Sequence, residues 1–156
     1  MSTDVQFRPL RLSLSLLALV TLCLAAASVA RAQDEKEPPF HGFKGVAIGM
    51  TIADARSHLG NPTDKSDAQD LYSVNDKQTI QVYYDGGKVS AITLMFNNAG
   101  ADALTPKAVF GSDITEARPD GSMYKLVRYT KAGYFVAYNR TAGNEPVVIV
   151  TLQKIR

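Results

Sequence analysis

The residue types that most often do chemistry are scarce in this chain. His41 and His58 are its only histidines, and Cys23 is its only cysteine. No H-x-H or H-x-x-x-H spacing places two imidazoles on one face of a strand or helix, so the sequence predicts no metal site. Ser57 adjoins His58 in sequence, but adjacency does not place two side chains in the geometry of a nucleophile and its base. We therefore predict no catalytic residue.

Cofactor-binding motifs are also missing from the sequence. It contains no P-loop, no G-x-G-x-x-G and no G-x-S-x-G pattern. Asp85-Gly86-Gly87 is followed by a predicted strand, whereas a phosphate-binding glycine loop is followed by a helix. This segment is therefore predicted to be a hairpin turn. We expect a protein without enzymatic activity and without a cofactor.

Tyrosine is the residue type that suggests a function. Six of the seven tyrosines lie on the predicted strands 79–84, 124–129 and 134–139, and the seventh, Tyr72, lies in the candidate strand 70–74. Any one of them is explained by ordinary strand composition, because tyrosine fits half-buried sheets. As a set they favour a partner-binding face, since tyrosine combines a large contact area with a polar tip. The candidate contact residues are Tyr83, Tyr84, Tyr124, Tyr129, Tyr134 and Tyr138. We expect Tyr124 with Tyr129, or Tyr134 with Tyr138, to form a row on an open sheet face.

The beginning of the chain has the three parts of an export signal. Arg8 and Arg11 precede an uncharged apolar run over residues 12–27, and Ala30-Arg31-Ala32 provides small residues for cleavage. The run is shorter than the roughly 20 apolar residues that span a membrane. Cys23 lies inside it rather than at its end, which disfavours a lipid anchor. Residues 1–32 are predicted to be a cleavable signal peptide, giving a periplasmic or secreted protein with no stable membrane anchor.

The charge balance changes when the signal is removed. The chain has 17 basic and 15 acidic residues, and removing three arginines and Asp4 leaves 14 of each. A neutral exported protein gives no argument for a nucleic-acid partner. About 124 residues remain, enough for one hydrophobic core. We expect a charged, proline-ended tether over residues 33–39 and one domain over residues 40–156.

One helix is strongly marked in the first half of the domain. Thr51 suits the N-cap, and Asp54 is spaced to return a hydrogen bond to the cap's N–H. Gly60 suits the position after the last turn, and Pro62 prevents the helix from continuing. The apolar face consists of Ile52, Ala55 and Leu59.

Strand-like segments follow this helix, and the same order then recurs. Candidate strands cover residues 70–74, 79–84 and 88–96, separated by turn residues. A short helix from Thr105-Pro106 to Gly111 and a capping pair at Asp113–Glu116 precede further strands at 124–129, 134–139 and 146–155. The prediction is an α+β domain: an antiparallel sheet of about six strands with two or three short helices on one face. Residues 45–97 and 105–156 are possible repeat units.

Two short motifs suggest a family. Their residues are Gly49, Met50 and Thr51 at the helix start, then Leu59, Gly60 and Pro62 at its end. Their joint spacing resembles the SmpA/OmlA (BamE-like) domain family over about residues 45–96. The doubled helix-plus-meander order resembles the β-lactamase inhibitor protein fold. These resemblances imply structural roles for the six motif residues and a bacterial envelope protein that acts by contact.

The expected partner is therefore another envelope or secreted protein. The alternative is an inhibitor of a secreted hydrolase. A carrier of small ligands is a third possibility, and it would require a deep apolar pocket. No feature of the sequence specifies the oligomeric state.

Overall fold

The computed structural model describes residues 37–156. The predicted signal peptide and the first part of the predicted tether lie outside the described residues. Pro38, which belongs to the predicted tether, is buried, as is Phe40. Pro38 therefore packs against the domain, although we predicted it to belong to a tether.

An antiparallel sheet of seven strands dominates the fold, which confirms the predicted α+β class. A separate ribbon of β1 (Gly42–Phe43) and β2 (Val46–Ala47) comes first in the chain. The strands of the large sheet are β3 (Asp64–Lys65), β4 (Gln69–Ser73), β5 (Gln78–Asp85), β6 (Lys88–Phe96), β7 (Met123–Tyr129), β8 (Tyr134–Arg140) and β9 (Val148–Lys154). Their spatial order is β3-β4-β5-β6-β9-β8-β7. Neither this ribbon nor β3 was predicted, because two-residue strands carry no alternation pattern.

Both helices begin and end where the capping residues predict. Helix α1 spans Ile52–Leu59 and helix α2 spans Pro106–Phe110. The Thr51 hydroxyl accepts the N–H of Asp54 and donates to its carboxylate, so that carboxylate bonds the cap's hydroxyl and not the predicted N–H. Gly60 has a φ of 82°, a conformation that glycine adopts without strain.

The predicted third helical segment does not form. Residues Asp113–Glu116 have no helical hydrogen bonds and run as an irregular loop toward β7. A capping pair stabilises a helix only when a helical turn follows it. Pro119, which has no backbone N–H to donate, follows too soon for such a turn to form. The domain therefore has two helices among its described residues.

The two halves of the domain meet in the middle of the sheet. Strands β4, β5 and β6 form one meander and β7, β8 and β9 form the other, each preceded by a helix. Their last strands, β6 and β9, pair antiparallel, with Thr93 opposite Thr151. The two threonine hydroxyls are 3.3 Å apart at the centre of the sheet.

The hydrophobic core lies on the face that carries the helices. Its buried residues on strands are Val46, Tyr72, Ile80, Val82, Tyr84, Val89, Ile92, Leu94, Phe96, Tyr129, Tyr134, Val136, Tyr138, Val148, Val150 and Leu152. Ala55 of α1 and Val109 of α2 are fully buried against them. The predicted apolar face of α1 is confirmed, with Ile52 and Leu59 partly buried on the same core.

A β-bulge sets which residues of β6 point inward. Tyr83 pairs with Ala91 and Tyr84 pairs with Val89, so Ser90 is an extra residue on β6. Val89 and Ile92 therefore both face the core although they are three residues apart. The hairpin that precedes the bulge turns at Gly86 and Gly87, whose φ values of 58° and 74° fit the tight turn of a two-residue loop.

Across residues 37–156, no helix has the length and apolar character needed to span a membrane.

Candidate interaction surface

The six candidate tyrosines separate into two groups. Tyr84, Tyr129, Tyr134 and Tyr138 are buried in the core. The expectation that these four lie on an open face is therefore wrong. Tyr83 is half-buried and Tyr124 is 45 % exposed, and both lie on the face away from the helices.

Strand alternation explains this separation. Tyr83 and Tyr84 are adjacent and so point to opposite faces, as predicted. Tyr124 and Tyr129 are five residues apart, an odd number, which places them on opposite faces as well. Tyr129 pairs with Tyr134, their ring centroids 6.1 Å apart, and both face the core. The spacing of two tyrosines on one strand tells whether they point to the same face of the sheet. Only the packing of the helices decides which of the two faces is covered.

The face without helices is the candidate functional surface, and we call it the open face. Asp64 on β3 and the paired Asp85 and Lys88 lie at its margins. The rest of the face consists of three residues on each of six strands, eighteen in all: Gln69, Leu71, Ser73, Thr79, Gln81, Tyr83, Ala91, Thr93, Met95, Ile149, Thr151, Gln153, Phe135, Ala137, Asn139, Tyr124, Leu126 and Arg128. All except Ala91 are half-buried or exposed. No helix within residues 37–156 packs on them.

The charged residues of the open face lie at its margins. Arg128 lies on the outermost strand β7, Asp64 lies on the opposite edge strand β3, and Asp85 and Lys88 lie beside the turn between β5 and β6. The residues between these margins are uncharged. A sheet face that meets only water usually carries lysine, arginine and glutamate, because these residues are the ones most often exposed. Depletion of charge is instead the compositional mark of the centre of a protein–protein interface.

Apolar and uncharged polar side chains share this surface. The row that crosses the sheet through its centre runs Leu71–Gln81–Thr93–Thr151–Ala137–Leu126. Beside it lies a depression of about 540 Å³, whose lining includes Tyr83, Thr93 and Gln153 together with the charged Asp85 and Arg156. Threonine hydroxyls and glutamine amides can both donate and accept hydrogen bonds. The row through the centre of the sheet can therefore bury apolar area and pair polar groups without removing a charge from water.

A second concavity lies on the covered side of the sheet. It measures about 350 Å³, and its lining includes Leu104, Ile114, Met123, Tyr138 and Arg140. A space of this size accommodates a small ligand or a single side chain, but not the surface of a macromolecule.

The most strongly perturbed titratable groups form a buried cluster around Asp70. Its carboxylate is fully buried and accepts two hydrogen bonds from Arg56, at 2.8 Å from Nε and 2.9 Å from Nη2. The hydroxyls of Tyr84 and Tyr72 also donate to it, at 2.6 and 3.3 Å. Because Arg56 lies on α1 and the other three lie on β4 and β5, the cluster ties the helix to the sheet.

The pKa values within this cluster follow from its geometry. Burial alone would raise the pKa of Asp70, but the hydrogen bonds from Arg56, Tyr84 and Tyr72 outweigh burial and keep it below its usual value. Burial and the bond to Asp70 raise the pKa of Tyr84 well above its ordinary value. Hydrogen bonding to Asp70 raises the pKa of Arg56. All three groups are thereby held in their ordinary protonation states at neutral pH.

The six motif residues lie at the two ends of α1. The N–H of Gly49 donates to the carbonyl of Val89 at 2.8 Å, and the N–H of Val89 donates to the carbonyl of Met50 at 2.8 Å. Thr51 caps the helix, Leu59 packs on the core and Gly60 ends the helix before Pro62. These contacts attach α1 to the start of β6.

Most of the open face could not be recognised from residue types. Phe135, Met95 and Ile149 attract no notice in the sequence, because each belongs to an ordinary alternating strand. The signal that could have found them is that the residues alternating with the core set are uncharged along the middle of β5, β6, β8 and β9.

Within residues 37–156, no group of three or more His, Cys, Asp or Glu side chains is placed to hold a metal ion.

Comparison with protein families, curated proteins and solved structures finds no match to the chain.

Proposed function

We propose that this chain is exported and acts as a non-enzymatic interaction module of the bacterial cell envelope. In this proposal it binds another envelope or secreted protein through the open face. The observation that carries the proposal is that the charged residues of that face lie at its margins and leave its centre uncharged. The signal-like sequence of residues 1–32 supports export.

The chemistry of the open face favours a protein partner over water as its normal environment. Tyr124 and Leu126 are 45 % and 41 % exposed and lie two residues apart on β7. Tyr83 and Phe135 extend the apolar area toward the centre of the sheet. Uncharged threonine and glutamine side chains between them can form hydrogen bonds at a small desolvation cost compared with charges.

A second candidate is an inhibitor of a secreted hydrolase. The observation that favours it is the doubled helix-plus-meander arrangement, joined at the β6–β9 pair. That order is the basis of the resemblance to the β-lactamase inhibitor protein fold. Both candidates use the same surface, so they differ only in the identity of the partner.

Site-specific photo-crosslinking in cells tests the proposal. A photoreactive residue is placed at Thr151, in the centre of the open face, and in a matched control at Ser57, which is exposed on α1. The full chain is expressed with its own signal, and intact mass checks that the exported product begins at Gln33. We expect a crosslinked protein from position 151 that position 57 does not capture.

The partner's identity separates the two functions. An envelope protein captured at position 151 supports the interaction module. A captured hydrolase whose rate falls at a one-to-one ratio supports the inhibitor. Equal crosslinking from both positions, or none from position 151, contradicts binding through the open face.

A further inference from the structure

The two edges of the sheet differ in length and protection. At one edge, β3 has two residues, both exposed and both charged, Asp64 and Lys65. At the other edge, β7 has seven residues in unbroken register with β8. Within residues 37–156 no strand pairs with the outer side of β7. A long regular edge without proline or a bulge is the kind of edge that another strand extends.

The two charged residues of β7 do not block this edge. The Nζ of Lys125 lies 4.9 Å from the centre of the Phe110 ring and 3.4 Å from the Ser112 hydroxyl, so it is directed toward α2. Arg128 belongs to the open face. Leu126 lies between these two residues and is 41 % exposed, whereas Val136 on β8 and Leu152 on β9 are fully buried.

We infer that β7 pairs antiparallel with β7 of a second copy of this chain, in a register centred on Leu126. The evidence for this occupant is that the strand complements itself. In this register Leu126 lies opposite the partner's Leu126, so the two exposed leucines cover each other. Arg128 lies opposite the partner's uncharged Tyr124, whose ring centre is 5.1 Å from the Arg118 guanidinium of its own chain. On the covered face, Lys125 lies opposite the partner's Val127.

The charges along β7 limit the register, and Leu126 then selects it. A register centred on Lys125 would place the two lysines against each other, which is unfavourable, whereas registers centred on Leu126 or Val127 place no like charges directly opposite each other. Centring on Val127 would set the exposed Leu126 against Arg128, and centring on Leu126 sets it against its own counterpart. Because a residue and its own counterpart then share a face, the two open faces lie on the same side of one continuous sheet.

This inference goes beyond the proposed function, because a monomer would also bind a partner through the open face. Its consequence is a contact surface of twice the area, with two copies of each contact residue. A partner with two equivalent binding elements would bind such a surface more tightly than a single one.

Single cysteines test the register directly. Cys23 lies in the predicted signal peptide, so the exported protein has no other thiol. Leu126→Cys would place two sulfurs across the two-fold axis, where opposite Cα atoms are about 4.5–5.5 Å apart, within the range of a disulfide. Val74→Cys is the matched control, since Val74 is 38 % exposed. Under mild oxidation we expect a disulfide-linked dimer from Leu126→Cys at several times the yield of Val74→Cys.

Light scattering of the exported protein provides the second measurement. The measured mass of the unmodified protein should rise from that of a monomer to twice that value as its concentration increases. Leu126→Lys should remain at the monomer mass over the same range, while Val74→Lys should behave like the unmodified protein. Circular dichroism checks that both variants are folded.

Three outcomes would overturn the inference. They are a monomer mass at every concentration, equal disulfide yields from positions 126 and 74, and capture of a different protein's strand at β7 without dimer formation. None of these would affect crosslinking from Thr151 at the centre of the open face. Failure of this inference is therefore distinguishable from failure of the proposed function.

Discussion

The two faces of the sheet are built from alternating residues of the same strands, but they differ in how they handle polar groups. The covered face buries one carboxylate, Asp70, and satisfies it with four hydrogen bonds. The open face carries its charged residues at the margins and presents hydroxyls, amides and apolar side chains at its centre. Both arrangements lower the free-energy cost of removing polar groups from water. The covered face meets that cost on folding, and under the function proposed above the open face would meet it on binding.

The comparison predicts a large loss of stability on the covered face. Leu94 is fully buried, and its neighbour Thr93 lies on the open face. Leu94→Ala should lower the free energy of unfolding by about 4 kcal/mol, because it removes buried apolar area and leaves a cavity. Thr93→Ala should lower it by less than about 1 kcal/mol. Urea denaturation measures both, and similar losses would mean that the two faces are equally buried.

A smaller loss is expected at the buried carboxylate. Asp70→Asn should lower the free energy of unfolding at pH 7 by about 2 kcal/mol, because it leaves the Arg56 guanidinium without its carboxylate. Asp54→Asn, at the exposed cap of α1, is the control and should change stability less.

The same variant predicts a pH dependence with a definite sign. The pKa of Asp70 in the folded protein lies below its unfolded value of about 4. Its contribution to stability is therefore complete above about pH 4 and is lost as the pH falls through the folded-state value. The difference between the unmodified protein and Asp70→Asn should shrink on acidification. A difference that is constant from pH 7 to pH 3 would contradict this explanation.

We expect the smallest change in the free energy of unfolding when Tyr83 is replaced. The same replacement should have a larger effect on partner binding. Tyr83→Ala should change the free energy of unfolding by less than about 1 kcal/mol and weaken partner capture by about tenfold. Tyr84→Phe is the reciprocal variant, since it removes the 2.6 Å bond to Asp70 and leaves the open face intact. It should reduce stability and preserve capture. If Tyr83→Ala leaves capture unchanged, the open face near the bulge is not the contact surface.

Most of the fold could be predicted from local residue patterns. The capping residues Thr51 and Thr105 mark where both helices begin, and Gly60 and Gly111 mark where they end. Six of the seven sheet strands follow predicted segments to within two residues at each end. The segment at Asp113 shows the limit of such patterns, since a capping pair forms no helix where the following residues cannot continue one.

The candidate surface was predicted less completely. The sequence pointed to one open face and to its tyrosines, but four of the six tyrosines are core residues. A tyrosine fits either face of a strand, so its type does not reveal its side. The bulge at Ser90 makes the assignment harder still, because it shifts the inward-facing residues of β6 by one position.

By itself the sequence determined the kind and order of the elements, because helix caps, turn glycines and strand alternation act over a few neighbouring residues. The tertiary structure alone decided which side of each strand is covered, that β6 and β9 join the two meanders, and that β7 is left at an edge. Those outcomes depend on contacts between residues far apart in the chain, such as Thr93 with Thr151 and Arg56 with Asp70. Alternation divides each strand into two sets of residues, and only the docking of the helices makes one set the core and leaves the other uncovered.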